Sequence, residues 1–181
     1  MVPPLVEKAL DLARALGFDR SCSAETGRLL RVLAGQRGRS RVAEIGTGCG
    51  VGSAWLLAGL APGVPFLTVE PDDERADAVA RLLAADESAR VLHGAWEELL
   101  PAEAPFDLLF ADGGGRQTKT NEALLELLAP GGTIVLDDLT PGRAIAGDAV
   151  RELWLGHPRL AAVEVQVSPR EAVIVGTLQV L

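Results

Sequence analysis

Between positions 44 and 52 the chain reads Glu44-Ile-Gly-Thr-Gly-Cys-Gly-Val-Gly52, with a glycine at every second position from 46 onward. Glycine lets the backbone turn sharply and lets a ligand approach where a side chain would collide. Glu44 places a carboxylate just before the loop, a poor neighbour for a pyrophosphate and a good one for a cationic ligand. The spacing also departs from the dinucleotide pattern G-x-G-x-x-G, because Val51 and Ser53 occupy the required third positions. A second acid, Glu70, precedes Pro71 and Asp72, and a carboxylate at a strand end can accept both hydroxyls of a ribose. Glu70 alone does not separate a nicotinamide site from other nucleoside sites; Glu44 and the glycine spacing do. Further along, Asp112 and the pair Asp137-Asp138 each close an apolar run, so three carboxylates are expected at one edge of a sheet.

These residues need strands to carry them. Short apolar runs at Arg41–Ile45, Pro65–Val69, Arg90–His93, Phe106–Ala111 and Thr133–Asp137 read as strands buried on both faces. Helical stretches lie between them at Gly52–Leu60, Asp72–Ala85, Trp96–Leu100 and Lys119–Leu128, with another at Gly147–Leu155. That rhythm predicts a parallel sheet with right-handed crossovers and helices on both faces. The rhythm then changes. Val163, Val165 and Val167 alternate with polar residues, a turn follows at 168–171, and Ala172–Val180 is strand-like, which predicts an antiparallel hairpin. Two amphipathic helices precede the sheet, one carrying Leu5, Ala9, Leu12 and Leu16 and stopping at Gly17, the other running from Ala24 to Gln36 with Leu29, Leu30 and Leu33 on one side. The expected whole is one domain over 1–181, with a helical segment at 1–38 and an α/β core at 41–181.

Composition excludes several classes. The 181 residues are 48% apolar and 23% charged, which is globular. A net charge of −8, with no basic cluster beyond Arg37, Arg39 and Arg41, argues against nucleic acid. No apolar run reaches the length of about 18 residues that a membrane span needs. No secretory signal is read at the N-terminus, and Cys22 and Cys49 are too few for a disulfide scaffold, so a cytoplasmic protein is expected. Tyrosine is absent.

Val-Ala-Glu44-Ile-Gly-Thr-Gly-Cys-Gly50 resembles the first motif of the class I S-adenosylmethionine (SAM)-dependent methyltransferases, and Leu-Thr-Val-Glu70-Pro71 resembles their ribose-binding motif. The likeness runs from about residue 24 to the end. Gly94-Ala-Trp-Glu-Glu-Leu-Leu-Pro101, Phe106-Asp-Leu-Leu-Phe-Ala-Asp112 and Leu128-Ala-Pro-Gly-Gly-Thr-Ile-Val-Leu-Asp-Asp138 are similar to the catechol/caffeoyl-CoA O-methyltransferase branch. The resemblance implies a Rossmann-like seven-stranded methyltransferase sheet, mostly parallel, with an antiparallel C-terminal hairpin. It implies that Glu44 faces the methionine amino group, and that Gly46, Thr47, Gly48 and Gly50 form the loop the cofactor approaches. Glu70 and Pro71 then hold the ribose, Ala95 and Trp96 flank the adenine, and Asp112 borders the cofactor.

In that branch the positions of Asp112, Asp137 and Asp138 hold a divalent cation, and three oxygen donors suit Mg²⁺ or Ca²⁺. The same acids also suit a strand edge that caps helices or orders loops. The branch has a lysine three residues after its first metal aspartate; here that position is Gly115. Arg116 stays protonated, and Lys119 is four residues further on, so the catalytic base is unidentified. The loop 113–115 also lacks a bulky side chain for the adenine, leaving that wall mobile or closed by another segment. Trp96 is core or adenine wall, Trp55 and Trp154 are packing, Cys49 is a buried filler, and His93 and His157 are satisfied end residues. With short loops around the last strands, the substrate wall falls to the N-terminal helices or to a second subunit, hence a homodimer. The function expected is methyl transfer from SAM to an oxygen of a small hydroxylated molecule. The alternatives are a SAM-binding protein with little catalysis and, from another class, a nicotinamide-dependent oxidoreductase.

Overall fold

A computed structural model describes residues 1–180; Leu181, the last residue of the expected domain, lies outside them. Seven strands form one sheet: β1 (Val42–Ile45), β2 (Phe66–Glu70), β3 (Ala89–His93), β4 (Phe106–Ala111), β5 (Leu128–Leu139), β6 (Leu160–Gln166) and β7 (Ala172–Leu178). Their order is β3-β2-β1-β4-β5-β7-β6. The first five pair in parallel, and β7 lies antiparallel between β5 and β6. This is the expected mostly parallel sheet with its C-terminal hairpin.

Side chains alternate to opposite faces of the central strands. Val42, Phe66, Leu108 and Phe110 pack beneath α1 (Pro4–Ala15), α2 (Ala24–Ala34), α3 (Val51–Leu57) and α4 (Asp73–Leu83). Ala43, Ile45, Leu67 and Leu109 face α5 (Trp96–Leu99), α7 (Ala149–Gly156) and the turn before β5, with Trp96 and Trp154 as the large fillers. Both faces are therefore covered, which is why these strands read as unbroken apolar runs. Ser23, Asp72 and Asp148 start α2, α4 and α7 by accepting from backbone N–H groups of the first turn.

Three local expectations differ from the structure. The stretch 119–128 is not one helix: α6 (Gly115–Lys119) ends it early, and Asn121 caps a separate 3₁₀ turn over Glu122–Leu127. The Asn121 side chain bonds to the N–H of Ala123, offering the backbone an alternative to continuing the helix. β5 starts at Leu128, because Leu128 already pairs with Phe106 before a register shift that Pro130, Gly131 and Gly132 obscure in the sequence. In α1 the buried residues are Val6, Ala9 and Ala13, while Leu16 is exposed; small side chains make the close approach and the leucines flank it. No helix among the described residues is long and apolar enough to cross a membrane.

The chain turns back at β1: β2 and β3 lie on one side, β4 and β5 on the other. Such a switch leaves a crevice outside the carboxyl ends of β1 and β4. All the candidate acids lie there.

Candidate active site

Gly46 ends β1 and Gly113 follows β4, and their backbones touch. A Cβ on Gly46 would stand 2.3 Å from the Gly113 Cα, and Gly46 has a φ of +90°, so any other residue would both strain the turn and push the two strand ends apart. Asp112 and Gly113 donate their N–H groups to the Ile45 carbonyl, which locks the contact. Cavities open around this neck.

The first, of about 260 Å³, is lined by Glu44, Gly46, Thr47, Gly48, Glu70, Pro71 and Asp112. Glu44 is 1% exposed; its carboxylate accepts from the Ser53 and Thr68 hydroxyls, and Thr47 bonds in turn to Thr68 at 2.6 Å. Burial raises the Glu44 carboxyl to about 7, against the lowering effect of those two hydroxyls and with the nearby Glu70 adding to the rise. Glu70 is also buried. One oxygen accepts from the Gly48 N–H at 2.8 Å; the other accepts from Arg75, at 2.8 Å from Nη2, and from the Asp72 N–H. Phe18 closes the roof, lying against Gly48, with the guanidinium groups of Arg20 and Arg75 at 5.5 and 5.4 Å from its ring. The segment between α1 and α2 thus supplies a wall of the cleft.

The second cavity, of about 400 Å³, is lined by Pro71, Ala95 and Trp96 on one side and by Gly114, Gln117, Thr118 and Asn121 on the other. The wall that the loop 113–115 leaves bare is therefore closed by α6 and by Asn121 just beyond it. Trp96 packs in the core and also faces this cavity, and its indole N–H has no protein partner. Gly50 lies behind the loop, against Val79, rather than on either cavity.

A third cavity, of about 300 Å³, shares Gly115 and Asp138 with the first and runs past Lys119, Thr140, Arg143 and Arg151. Residues 140–148 supply this wall, so the loop after β5 does enclose space that its sequence left to the N-terminal helices or a second subunit. Arg151 braces it, being almost fully buried and paired with Asp148, Glu164 and the Thr140 carbonyl.

The acidic edge is assembled, though not as a ligand set. Burial lifts the Asp112 carboxyl to about 8, and Asp137 and Asp138 add to it while Lys119 opposes. Asp137 is raised to about 6, chiefly by burial. Yet Asp138 turns to Lys119, whose ammonium lies 2.9 Å from its carboxylate, and Asp137 lies 3.4 Å from the Thr26 hydroxyl. Among the described residues no three carboxylate, imidazole or thiol groups could hold one ion. Asp112, Asp137 and Asp138 therefore do not fit Mg²⁺ or Ca²⁺ as they stand. His93 bonds with the Pro71 carbonyl and His157 with Glu122, and neither lines the three cavities.

Sequence reasoning missed Phe18, Arg75 and the position of Lys119. Arg75 had a signal, lying in the first turn of the helix that follows Glu70; Phe18, in an irregular segment, had none.

The matching family model is a methyltransferase domain, and it covers residues 43–139. The chain belongs to the class I SAM-dependent methyltransferases. Within that class its likeness is to O-methyltransferases: the catechol O-methyltransferase of Mycobacterium tuberculosis is 30% identical over 189 aligned positions, spanning 93% of this chain and 84% of that one. A relative from Mycobacteroides abscessus is 33% identical over 149 positions, and this chain spans 66% of its length. The solved O-methyltransferase TomG of Streptomyces achromogenes, in complex with SAM, superposes with a TM-score of 0.82 at 26% identity, covering 99% of this chain and 91% of that one.

Proposed function

We propose that this protein transfers a methyl group from SAM to an oxygen of a small hydroxylated molecule. The observation that carries the reading is the run of three cavities along one strand edge, two meeting at the Gly46–Gly113 neck and the third joined through Gly115 and Asp138. Adenine suits the Trp96 cavity, whose flat indole matches a purine face and whose Gln117, Thr118 and Asn121 bring polar groups to the opposite wall. Glu70 is placed to accept the ribose hydroxyls once Arg75 swings off its outer oxygen. Glu44 and Asp112 offer carboxyl groups to the first cavity, where the cationic amino group and sulfonium of the cofactor would lie and would favour their ionised forms.

Bound SAM supplies a methyl group on a sulfonium sulfur; displacement by an acceptor oxygen leaves the thioether S-adenosylhomocysteine (SAH) and a proton. The chain's part is to align the two reactants and offset charge, since in-line displacement gains most from fixed geometry. The acceptor enters through the third cavity, and the hydroxyl proton passes to solvent at its open side, beside the exposed Asp138.

The same proposal treats 1–38 as the roof of the cleft and the rest as one catalytic core. A cytoplasmic setting suits the two free thiols of Cys22 and Cys49, a net charge of −8 suits a partner other than nucleic acid, and a homodimer is tested by light scattering. The deciding experiment follows conversion of SAM to SAH by mass spectrometry against hydroxylated aromatics such as catechol, caffeate and 3,4-dihydroxybenzoate. Formation of a methyl ether supports the proposal. Tight SAH binding with no methylated product from any acceptor leaves a cofactor-binding protein instead.

A further inference from the structure

Lys119 is 5% exposed, an unusual setting for an ammonium, which is seldom buried without a partner. Its backbone is anchored, since the Trp154 indole donates to the Lys119 carbonyl and Trp154 is fully buried. Its side chain reaches Asp138 at 2.9 Å. Asp138 is shaped for that contact: it has a φ of +60°, the only non-glycine among the described residues in the left-handed region. The β5–β7 register also shifts between Leu136 and Leu139, a bulge that re-aims the strand end. Gly115, which would carry the lysine of the resembled branch, stands at the first position of α6, and Lys119 stands at the last, one helical turn on.

We infer that the Lys119 ammonium is the resident cation of this active site, taking the place at the acidic strand edge that a divalent ion would fill, so that the protein works without a metal. The inference rests on the methyltransferase reading, since the cavity it concerns is the one assigned to the acceptor. Asp112, Asp137 and Asp138 repel one another in their ionised forms, and Lys119 brings a compensating cation from a buried, helix-anchored position. An ammonium has three donors. One is used on Asp138, and Lys119 also lines the third cavity, where its charge is presented to an acceptor oxygen. The positive charge facing that oxygen is thus fixed to the chain, independent of metal supply.

The test uses the full chain, stripped with EDTA and saturated with SAH, titrated with Mn²⁺ while free Mn²⁺ is read by electron paramagnetic resonance. Wild type is expected to take up no Mn²⁺ below millimolar concentration. Lys119→Ala and Lys119→Gln remove the ammonium and are expected to gain one Mn²⁺ per chain, with affinity at least tenfold above wild type, whereas Lys119→Arg keeps the ion out. A merely structural lysine would not create metal affinity on removal. Uptake of one Mn²⁺ per chain by wild type overturns the inference, and so does equal exclusion by wild type, Lys119→Ala and Lys119→Gln. SAH affinity measured on the same samples keeps the two readings apart: failure to bind SAH removes the cofactor assignment whatever the metal result.

Discussion

Replacing Glu70 by alanine removes the most engaged carboxylate of the cleft. This side chain is 3% exposed and holds the Gly48 N–H, the Asp72 N–H and Arg75. Bonds to a charged acceptor contribute about 1.5–3 kcal/mol, so loss of the ribose contacts proposed for Glu70 should weaken SAH by roughly ten- to hundredfold. Stability falls as well, because the half-buried Gly48 N–H is left without its acceptor, where a fully buried donor would cost about 1–3 kcal/mol. Arg75 adds little, since it is partly exposed and can return to water. For a chain of this size the melting temperature should drop by roughly 2–12 °C. Calorimetric titration of SAH reads the first effect and thermal unfolding the second. A folded Glu70→Ala variant whose SAH affinity lies within twofold of wild type would remove Glu70 from the ribose site and refute the placement.

Further expectations follow from the same geometry. Glu44, Asp112 and Asp137 ionise later in the folded chain than in the unfolded one, at about 7, 8 and 6. The folded state thus binds more protons, and stability without bound cofactor should fall as pH rises from about 4 through 8. Glu44→Gln, which removes one of these groups, should flatten the decline, as followed by melting temperature against pH; an unchanged slope would mean Glu44 titrates normally. Gly46→Ala puts a Cβ 2.3 Å from the Gly113 Cα at a φ of +90°, and should cost about 2–5 kcal/mol from overpacking and left-handed strain together, read by denaturant unfolding. Gly27→Ala, whose Cβ would stand 2.2 Å from the Trp55 indole, should cost about 1–3 kcal/mol through displacement of α2 from α3; an unchanged midpoint would mean the N-terminal helices dock loosely.

What the sequence made legible was periodic. The buried strands announced themselves as apolar runs, and strand ends in an open α/β sheet fall on one edge, so Glu44, Glu70, Asp112 and Asp137-Asp138 could be placed together before any coordinates. The glycines at 46 and 48 were equally plain, because only a close backbone approach asks for them. Less legible were features set by pairing across long separations. Leu128 joins β5 by pairing with Phe106, and no local pattern reports that. Lys119 faces Asp138 only because the helix at 115 is a single short turn and β5 bulges at its end. Asn121, read as part of a helix, instead starts a separate 3₁₀ turn. The closure of the Trp96 cavity by Gln117, Thr118 and Asn121 depends on the same short helix.

The measurement that bears most directly on the function is an isothermal titration of the EDTA-treated protein with SAH, with NADH as the control ligand. Saturable binding of one SAH per chain, no heat with NADH, and loss of the SAH signal in Glu70→Ala are expected. A folded wild-type protein that gives no saturable SAH binding up to millimolar concentration, or that binds NADH instead, would contradict the assignment of this cleft to SAM.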